Sequence, residues 1–221
     1  MKPILIVLFL LFTEILHAQP DAIGDFNKHV IEKWTEDYIR VSQYRVKGSP
    51  YLLGESFDGQ VIMRSGIKIS NQKILYDILD QRVGTEIDKK LIEPDGEVAS
   101  FFIQLPEKFG SEKLEFLNAS NLSKTNLKGY LNVIATGSKI SFLRQYKSRL
   151  VPDPLNMYSK DIRIFEQYYE YYLYNHGTQS LEKIKLKEKD IREALAGFSI
   201  PSTAYFTRQG DVKAIVESIN Q

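Results

Sequence analysis

The side chains that most often carry out chemistry in proteins are sparse in this sequence. Beyond the first eighteen residues there are two histidines, His29 and His176, neither has a second histidine at metal-ligand spacing, and the chain has no cysteine. No glycine-rich phosphate loop and no Gly-x-Ser-x-Gly nucleophile motif is present. We therefore predict no metal site, no cofactor and no catalytic residue of these classes.

Paired carboxylates remain as candidates for catalysis. Three pairs are close together in the chain: Asp77 with Asp80, Glu86 with Asp88, and Asp95 with Glu97. Glycoside hydrolysis needs two carboxylates about 5 to 10 Å apart across a cleft. Strands and turns at a protein surface produce such pairs routinely, so the pairs alone assign no reaction. One alternative function is therefore an envelope-glycan hydrolase that uses a carboxylate pair.

Aromatic side chains form the densest group of potential binding residues. The cluster comprises Phe165, Tyr168, Tyr169, Tyr171, Tyr172 and Tyr174. Exposed tyrosines can stack on sugars or on a partner protein, because the ring is apolar and its hydroxyl stays hydrated. The candidate binding residues are Tyr168, Tyr169, Tyr171 and Tyr172. The alternative is that these rings are partly buried and seal the junction between two lobes.

The tyrosine cluster is predicted to lie on a β-hairpin. Asn175-His176-Gly177 is a strong turn signal, and residues 178–186 alternate apolar with charged side chains. As a strand, the cluster would place Tyr169, Tyr171 and Leu173 on one face, and Tyr168, Tyr172 and Tyr174 on the other. The alternative is a helix, which would gather Phe165, Tyr169 and Tyr172 on one side.

Strands also dominate the rest of the chain. Between Gly48 and Leu105, β-branched and aromatic stretches alternate with Gly, Asn, Asp and Pro, which indicates consecutive antiparallel strands. Residues 113–117 are a further candidate strand, and residues 130–146 favour a hairpin across Thr136-Gly137-Ser138. We expect seven to nine strands up to Tyr146.

Helices are predicted at both ends of the chain. Phe26, Val30, Trp34 and Tyr38 recur every four residues, which is typical of an amphipathic helix packed on a sheet. The alternative is a membrane-surface or partner-binding helix that exposes Trp34.

The C-terminal segment is predicted to contain three short helices. The first spans residues 187–196 and stops at Gly197, and the second runs from Pro201 to Thr207. Asp211 is expected to cap the third, whose apolar face is Val212, Ile215, Val216 and Ile219. The predicted fold class is α+β: an antiparallel, curved β-sheet with an N-terminal amphipathic helix and a small C-terminal helical segment.

Residues 1–18 have the features of a signal peptide. Lys2 precedes an apolar run from Pro3 to Phe12, and Leu16-His17-Ala18 is a plausible cleavage site before Gln19. Ten apolar residues are too few to span about 30 Å of hydrocarbon as a helix, so we expect cleavage and no stable membrane anchor. Residues 19–150 are then predicted to form the N-terminal helix and a β-rich lobe. Residues 151–221 are predicted to form the tyrosine-rich hairpin and short helices, packed on that lobe.

The sequence resembles a family of uncharacterised exported, signal-peptide-bearing proteins of Bacteroidota. The resemblance covers about Tyr44 to the C-terminus and depends on the ordered spacing of these segments: Gly48-Ser49-Pro50-Tyr51-Leu52, Gly59-Gln60-Val61, Ser65-Gly66, Leu75-Tyr76-Asp77-Ile78, Tyr171-Tyr172-Leu173, Ile184-Lys185-Leu186 and Lys189-Asp190-Ile191 with Leu195. It implies a cell-envelope or secreted setting, and supplies no activity, ligand or catalytic residue.

Charge and motifs together favour binding over catalysis. A net charge of +1 over 221 residues provides no overall field that would attract nucleic acid. We expect a non-catalytic binding or scaffold protein, in the periplasm or secreted, whose partner is an envelope protein or ligand. The alternatives are the hydrolase above and a lipocalin-like carrier of a small apolar ligand.

Overall fold

The computed structural model of the chain describes residues 45–156, 161–200 and 204–221. The predicted signal peptide and N-terminal amphipathic helix lie outside these ranges. Within them, no helix combines the length and apolar character needed to cross a membrane.

The described residues fall into two compact units. The smaller unit contains residues 45–46, 152–156 and 161–163 of the described chain, and the larger contains the rest. In the smaller unit, the backbone N–H of Arg45 donates to the carbonyl oxygen of Asp161 (2.6 Å), and that of Asp153 donates to Ile162 (3.1 Å). The Arg45 guanidinium lies 3.6 Å from the Asp161 carboxylate.

Strands are the main regular secondary structure of the described chain. They are β1 (Arg45–Lys47), β2 (Phe57–Met63), β3 (Lys68–Asp77), β4 (Arg82–Ile87), β5 (Lys90–Ile92), β6 (Val98–Gln104), β7 (Lys113–Asn118), β8 (Tyr130–Ala135), β9 (Ile140–Pro152), β10 (Ile162–Asn175) and β11 (Ser180–Ile184). The α-helices are α1 (Glu188–Ala194) and α2 (Gln209–Asn220). Short 3-10 turns occupy Leu52–Gly54, Glu107–Phe109, Ala119–Asn121 and Pro154–Asn156.

The strands of the larger unit form one sheet. Its order is β10-β9-β8-β7-β6-β2-β3-β4-β5, and β11 also pairs with β10. The pairs β2–β3, β3–β4, β4–β5, β2–β6, β6–β7, β7–β8, β8–β9 and β10–β11 are antiparallel. The described residues therefore form a sheet-rich, mainly antiparallel α+β structure, and both predicted hairpins, β8–β9 and β10–β11, are confirmed.

Aromatic rings fill the core on the inner face of the sheet, which is the face that carries Phe101 and Phe116. These two rings stack with their centroids 4.5 Å apart. Tyr76 from β3 meets both rings edge-on at 5.2 and 5.3 Å, and Tyr130 from β8 lies 5.8 Å from Tyr76. All four side chains are buried. We refer to Tyr76, Phe101, Phe116 and Tyr130 as the aromatic core; offset and edge-to-face contacts of this kind are the favoured geometries of aromatic pairs.

Hydrogen bonds link the turn between β3 and β4 to β9. The backbone N–H of Ser148 donates to Ile78 (3.1 Å). The Gln81 amide donates to the carbonyl oxygens of Ile78 (2.9 Å) and Tyr146 (2.8 Å), and its oxygen accepts from the Tyr76 hydroxyl (2.8 Å). Four strands separate β3 from β9 in the sheet order, so these contacts tie distant parts of the sheet together.

The two C-terminal helices cover the inner face at the β8–β11 end of the sheet. Phe142, Tyr171, Leu173 and Ile184 of the sheet form one apolar cluster with residues of both helices, which we call the helix-covered core. The predicted apolar face of the last helix is confirmed, because Val212, Ile215, Val216 and Ile219 are all buried.

Two boundary predictions in the C-terminal segment were wrong. Residues 204–207 are not helical, so the helix predicted from Pro201 does not reach Thr207; residues 201–203 lie outside the described chain. Asp211 does not precede the last helix but lies in its first turn, since α2 begins at Gln209. The Asp211 carboxylate still caps the helix by accepting the backbone N–H of Arg208 (3.0 Å).

Candidate functional site

The structure divides the predicted binding tyrosines into exposed and buried pairs. Tyr168 and Tyr169 are 37% and 53% exposed, whereas Tyr171 and Tyr172 are 8% and 6% exposed. Tyr171 packs in the helix-covered core. Tyr172 joins Leu131 and Leu143 in a separate cluster. The predicted assignment of side chains to the two faces of the strand agrees with these clusters, and Tyr168 and Tyr169 are the rings that an external ligand can reach.

Arg144 lies next to Tyr169 and is a candidate binding residue that the sequence pattern alone did not indicate. It occupies a position on β9 that faces the same way as Phe142 and Tyr146. The centre of its guanidinium is 4.4 Å from the Tyr146 ring centroid and 5.8 Å from that of Tyr169. Phe142 belongs to the helix-covered core, and Tyr146 packs against the aromatic core. Arg144 therefore lies in a polar gap between two apolar clusters.

Neutral amide groups hold the Arg144 guanidinium in place. One Nη donates to the Gln209 side-chain oxygen (3.0 Å) and the other to the Asn132 side-chain oxygen (2.9 Å). The Gln209 oxygen also accepts the Tyr171 hydroxyl (3.1 Å), and the Asn132 amide donates to the carbonyl oxygen of Glu115 (3.0 Å). Each amide is thus fixed by a second bond, which limits the positions that the guanidinium can take.

Among the residues that the structure describes, no carboxylate pairs with the charge of Arg144. Across residues 45–156, 161–200 and 204–221, no Asp or Glu oxygen forms an ion pair with its guanidinium. Its Nε atom is buried and has no hydrogen-bond partner among the described residues. A guanidinium has five N–H donors, so the two bonds above leave one N–H on each terminal nitrogen besides the buried Nε–H. We call Arg144, Tyr146, Tyr169 and Tyr171, with Asn132 and Gln209, the arginine–tyrosine site.

The hydroxyls of Tyr146 and Tyr171 stay protonated near neutral pH. Burial, with a smaller contribution from the neighbouring Tyr169, raises the pKa of Tyr171 to about 12. Burial likewise raises the pKa of Tyr146 to about 12, although the Arg144 charge opposes this. Both rings therefore present neutral hydroxyls, and the arginine is the charged group of the site.

A second arginine–tyrosine pair on the same two strands provides a natural comparison. The Arg149 guanidinium lies 5.5 Å from the Tyr168 ring centroid. Unlike Arg144, it is exposed and paired with the Glu166 carboxylate at 2.6 Å. Both pairs consist of an arginine on β9 and a tyrosine on β10. They differ because Arg149 already pairs with a carboxylate of the protein, whereas Arg144 contacts amide groups.

Glu170 forms a separate, structural ion cluster on β10. Its carboxylate accepts from Lys147 (2.8 Å), Lys183 (2.5 Å) and the Tyr172 hydroxyl (2.8 Å). Burial alone would raise the pKa of Glu170, but these three hydrogen bonds outweigh burial and lower the pKa to about 2. The cluster therefore links β9, β10 and β11.

Replacing Glu170 with glutamine is expected to destabilise the protein in a pH-dependent way. Its folded pKa of about 2 lies below its ordinary value of 4.5, so its stabilisation is present above pH 4.5 and disappears as the pH falls towards 2. This difference between the folded and ordinary pKa limits the contribution of the Glu170 charge to the free energy of unfolding to about 3 kcal/mol at pH 7. Urea unfolding of both forms at pH 7, 4 and 2.5 measures the difference.

The matched control for this prediction is Glu166→Gln. Glu166 pairs with a single cation, Arg149, and its side chain is 46% exposed. Removing this ion pair is therefore expected to lower the free energy of unfolding by about 0.5 kcal/mol. A Glu170→Gln penalty that is the same at all three pH values would contradict the assignment.

One carboxylate of each of the three pairs named from the sequence has a local structural partner. Asp77 is buried and accepts the backbone N–H groups of Leu79 and Asp80 (both 3.0 Å), which closes the β3–β4 turn. Glu86 accepts the Ser56 hydroxyl, and Glu97 pairs with Arg64 at 3.0 Å. Within the described part of the chain, no group of three or more His, Asp or Glu residues is arranged to hold a metal ion.

Two open cavities of about 330 and 340 Å³ lie elsewhere on the larger unit. The first is lined by Ile62, Phe102, Leu117 and Val133 together with polar groups including Lys113 and Glu115. The second is lined mainly by polar residues, among them Glu55, Asp58, Lys73 and Lys108. None of the three predicted carboxylate pairs lines either cavity, so these cavities do not bring a predicted pair together across a cleft.

Comparison with known proteins finds no match to this chain. It matches no family model, no curated protein and no solved structure. The functional conclusion therefore depends on the geometry of the arginine–tyrosine site.

Proposed function

We propose that the chain is a non-catalytic binding protein exported to the bacterial cell envelope, and that its ligand contacts the arginine–tyrosine site. The features of a signal peptide in residues 1–18 and the resemblance to exported proteins of Bacteroidota support export. Cleavage after Ala18 would release a chain without a stable membrane anchor, in the periplasm or outside the cell.

One observation supports the binding role above all others. The Arg144 guanidinium is held by amide groups and forms no ion pair with a carboxylate in the described chain. An arginine whose purpose is structural usually pairs with a carboxylate, as Arg149 does with Glu166. The amides of Asn132 and Gln209 instead fix the Arg144 guanidinium without satisfying its charge. A group held ready in this way binds an anion without first losing a partner, which lowers the cost of association.

A curved sheet is part of the proposal, because it would hold the site rigidly. The hydrogen bond between Ser148 and Ile78 and the bonds of Gln81 support this curvature, since they connect β9 to the β3–β4 turn. Sites built on strands are held more precisely than sites on loops. Arg144 and Tyr169 both lie on strands, β9 and β10.

The two alternative functions receive less support. A lipocalin-like carrier would place an apolar ligand inside a curved sheet, but the rings of the aromatic core occupy that position. A glycan hydrolase would need two carboxylates facing each other across a cleft, whereas Asp77 closes a turn and Glu97 pairs with Arg64.

Retention of envelope material tests the binding role. Residues 19–221, immobilised on a resin, are expected to retain an envelope component of the producing bacterium. The double variant Arg144→Gln/Tyr169→Ala is expected to retain at least about tenfold less, the size of one lost charge-assisted contact. The control is Arg149→Gln, which removes the neighbouring arginine that already pairs with Glu166 and should retain the wild-type amount. Equal retention by all three proteins, or no specific retention by the wild type, would contradict the proposal.

Export has its own test. Amino-terminal sequencing of the protein purified from its natural source is expected to begin at Gln19. Recovery of the chain with residues 1–18 still attached would contradict export through a cleaved signal peptide.

A further inference from the structure

We infer that the arginine–tyrosine site binds a carboxylate-bearing sugar, such as the uronic acid of an acidic polysaccharide. This inference rests on the binding function proposed above and names the ligand class of the same site. Arg144 supplies the recognition of charge, and Tyr169 supplies a surface for the sugar ring.

The charge of the site matches a single negative charge. Within the described chain, the side chains placed against the Arg144 guanidinium are Tyr146, Tyr169, Asn132 and Gln209, none of which is an acid or a second cation. These contacts therefore give the site a single positive charge, that of the Arg144 guanidinium. Recognition of phosphate commonly uses clusters of arginines that share the larger charge. A carboxylate carries one charge and is planar, so it matches the N–H edge of one guanidinium.

The terminal nitrogens of Arg144 keep donors for such an anion. Each carries two N–H groups and uses one in a bond to an amide. A carboxylate bound here breaks no ion pair in the described chain, in contrast to Arg149, where it would displace Glu166.

Tyr169 lies where the rest of the ligand would extend. Its ring is 53% exposed and its centroid is 5.8 Å from the Arg144 guanidinium. In a uronic acid the carboxylate is attached directly to the pyranose ring. One sugar residue can therefore present its carboxylate to Arg144 and the apolar C–H face of its ring to Tyr169. The ring of Tyr171 packs edge-on against Tyr169 at 5.2 Å and limits the movement of this surface.

Isothermal titration calorimetry on residues 19–221 tests this inference. The probes are the trimers of galacturonic and glucuronic acid, the methyl esters of both trimers, and inorganic phosphate. We expect at least one free acid to bind, its methyl ester to bind at least tenfold more weakly, and phosphate to produce no saturable heat. Arg144→Gln should weaken binding of the acid at least tenfold, and Tyr169→Ala about threefold, while Arg149→Gln leaves it unchanged.

The outcomes separate this inference from the proposed function. Failure of both acids to bind, equal binding of acid and ester, or tighter binding of phosphate than of either acid would overturn the sugar assignment. If envelope retention still depends on Arg144 and Tyr169, the binding function stands with another ligand. If retention does not depend on them, the binding function falls as well. Circular dichroism monitors folding, and if Arg144→Gln fails to fold, the exposed Tyr169→Ala variant decides.

Discussion

Gly59→Ala is expected to destabilise the protein by about 3 kcal/mol, a penalty typical of overpacking at a site that cannot relax. A Cβ atom at Gly59 would lie 2.1 Å from the carbonyl oxygen of Phe102 and 3.0 Å from a side-chain carbon of Ile74. The first contact is with backbone, so no side-chain rotation relieves it. β2 pairs with β3 on one side and with β6 on the other, and moving β2 would break hydrogen bonds in both ladders. Urea unfolding of residues 19–221 measures the loss.

Gly66→Ala is the matched control for this prediction. Gly66 has a φ of +88° and open space around the position of a Cβ atom. Its replacement introduces backbone strain without a clash and is expected to cost about 1 kcal/mol. If Gly66→Ala costs as much as Gly59→Ala, the close approach of β6 to Gly59 is not what makes that glycine necessary.

Tyr76→Ala is expected to cost about 4 kcal/mol, the usual loss for removing a large buried aromatic side chain. Tyr76 is 2% exposed and touches the three other rings of the aromatic core. Its hydroxyl also donates to Gln81 (2.8 Å), which in turn contacts β9 through Tyr146. The substitution therefore removes packing within the aromatic core and one bond of the link to β9. Urea unfolding and near-ultraviolet circular dichroism measure the two effects.

Tyr76→Phe separates the ring from the hydroxyl. This variant keeps the aromatic packing and loses the bond to Gln81, so its expected cost is about 1 kcal/mol. A cost for Tyr76→Phe close to that of Tyr76→Ala would mean that the hydrogen bond, and not the ring packing, provides most of the stability at this position.

The strand framework could be predicted from the sequence because its signals are local. Turn residues separate the strands between Gly48 and Leu105, and the alternation of side chains in β10 places Tyr169 and Tyr171 on one face. These features depend on the period of the strand and on the chemistry of turns within a few residues. The apolar face of α2 has the same local origin.

The burial of Tyr171 and Tyr172 could not be predicted with the same certainty. Whether a face of a strand is covered depends on elements elsewhere in the chain. Tyr171 is covered by a cluster that includes residues of α2, and its hydroxyl bonds to Gln209, which is 38 residues away. A strand pattern identifies the two faces, and tertiary packing determines which residues on them are exposed.

The arginine–tyrosine site also depends on tertiary packing between elements that are distant in the chain. Arg144 is 12 residues from Asn132 and 65 from Gln209, so its neutral environment arises only when β8, β9 and α2 come together. One local signal was available. Arg144 falls between Phe142 and Tyr146 at a position where the alternation of β9 requires an apolar residue, and a charge at such a position indicates either a buried ion pair or a binding site.

The most direct measurement of the central claim is a crystal structure of residues 19–221 with a uronic acid trimer bound. We expect the carboxylate of one sugar within hydrogen-bond distance of the Arg144 guanidinium and its ring against Tyr169, with Asn132 and Gln209 keeping their bonds to Arg144. Two results would contradict the account: a trimer bound away from Arg144, or an ion pair between the Arg144 guanidinium and a Glu or Asp side chain of the protein.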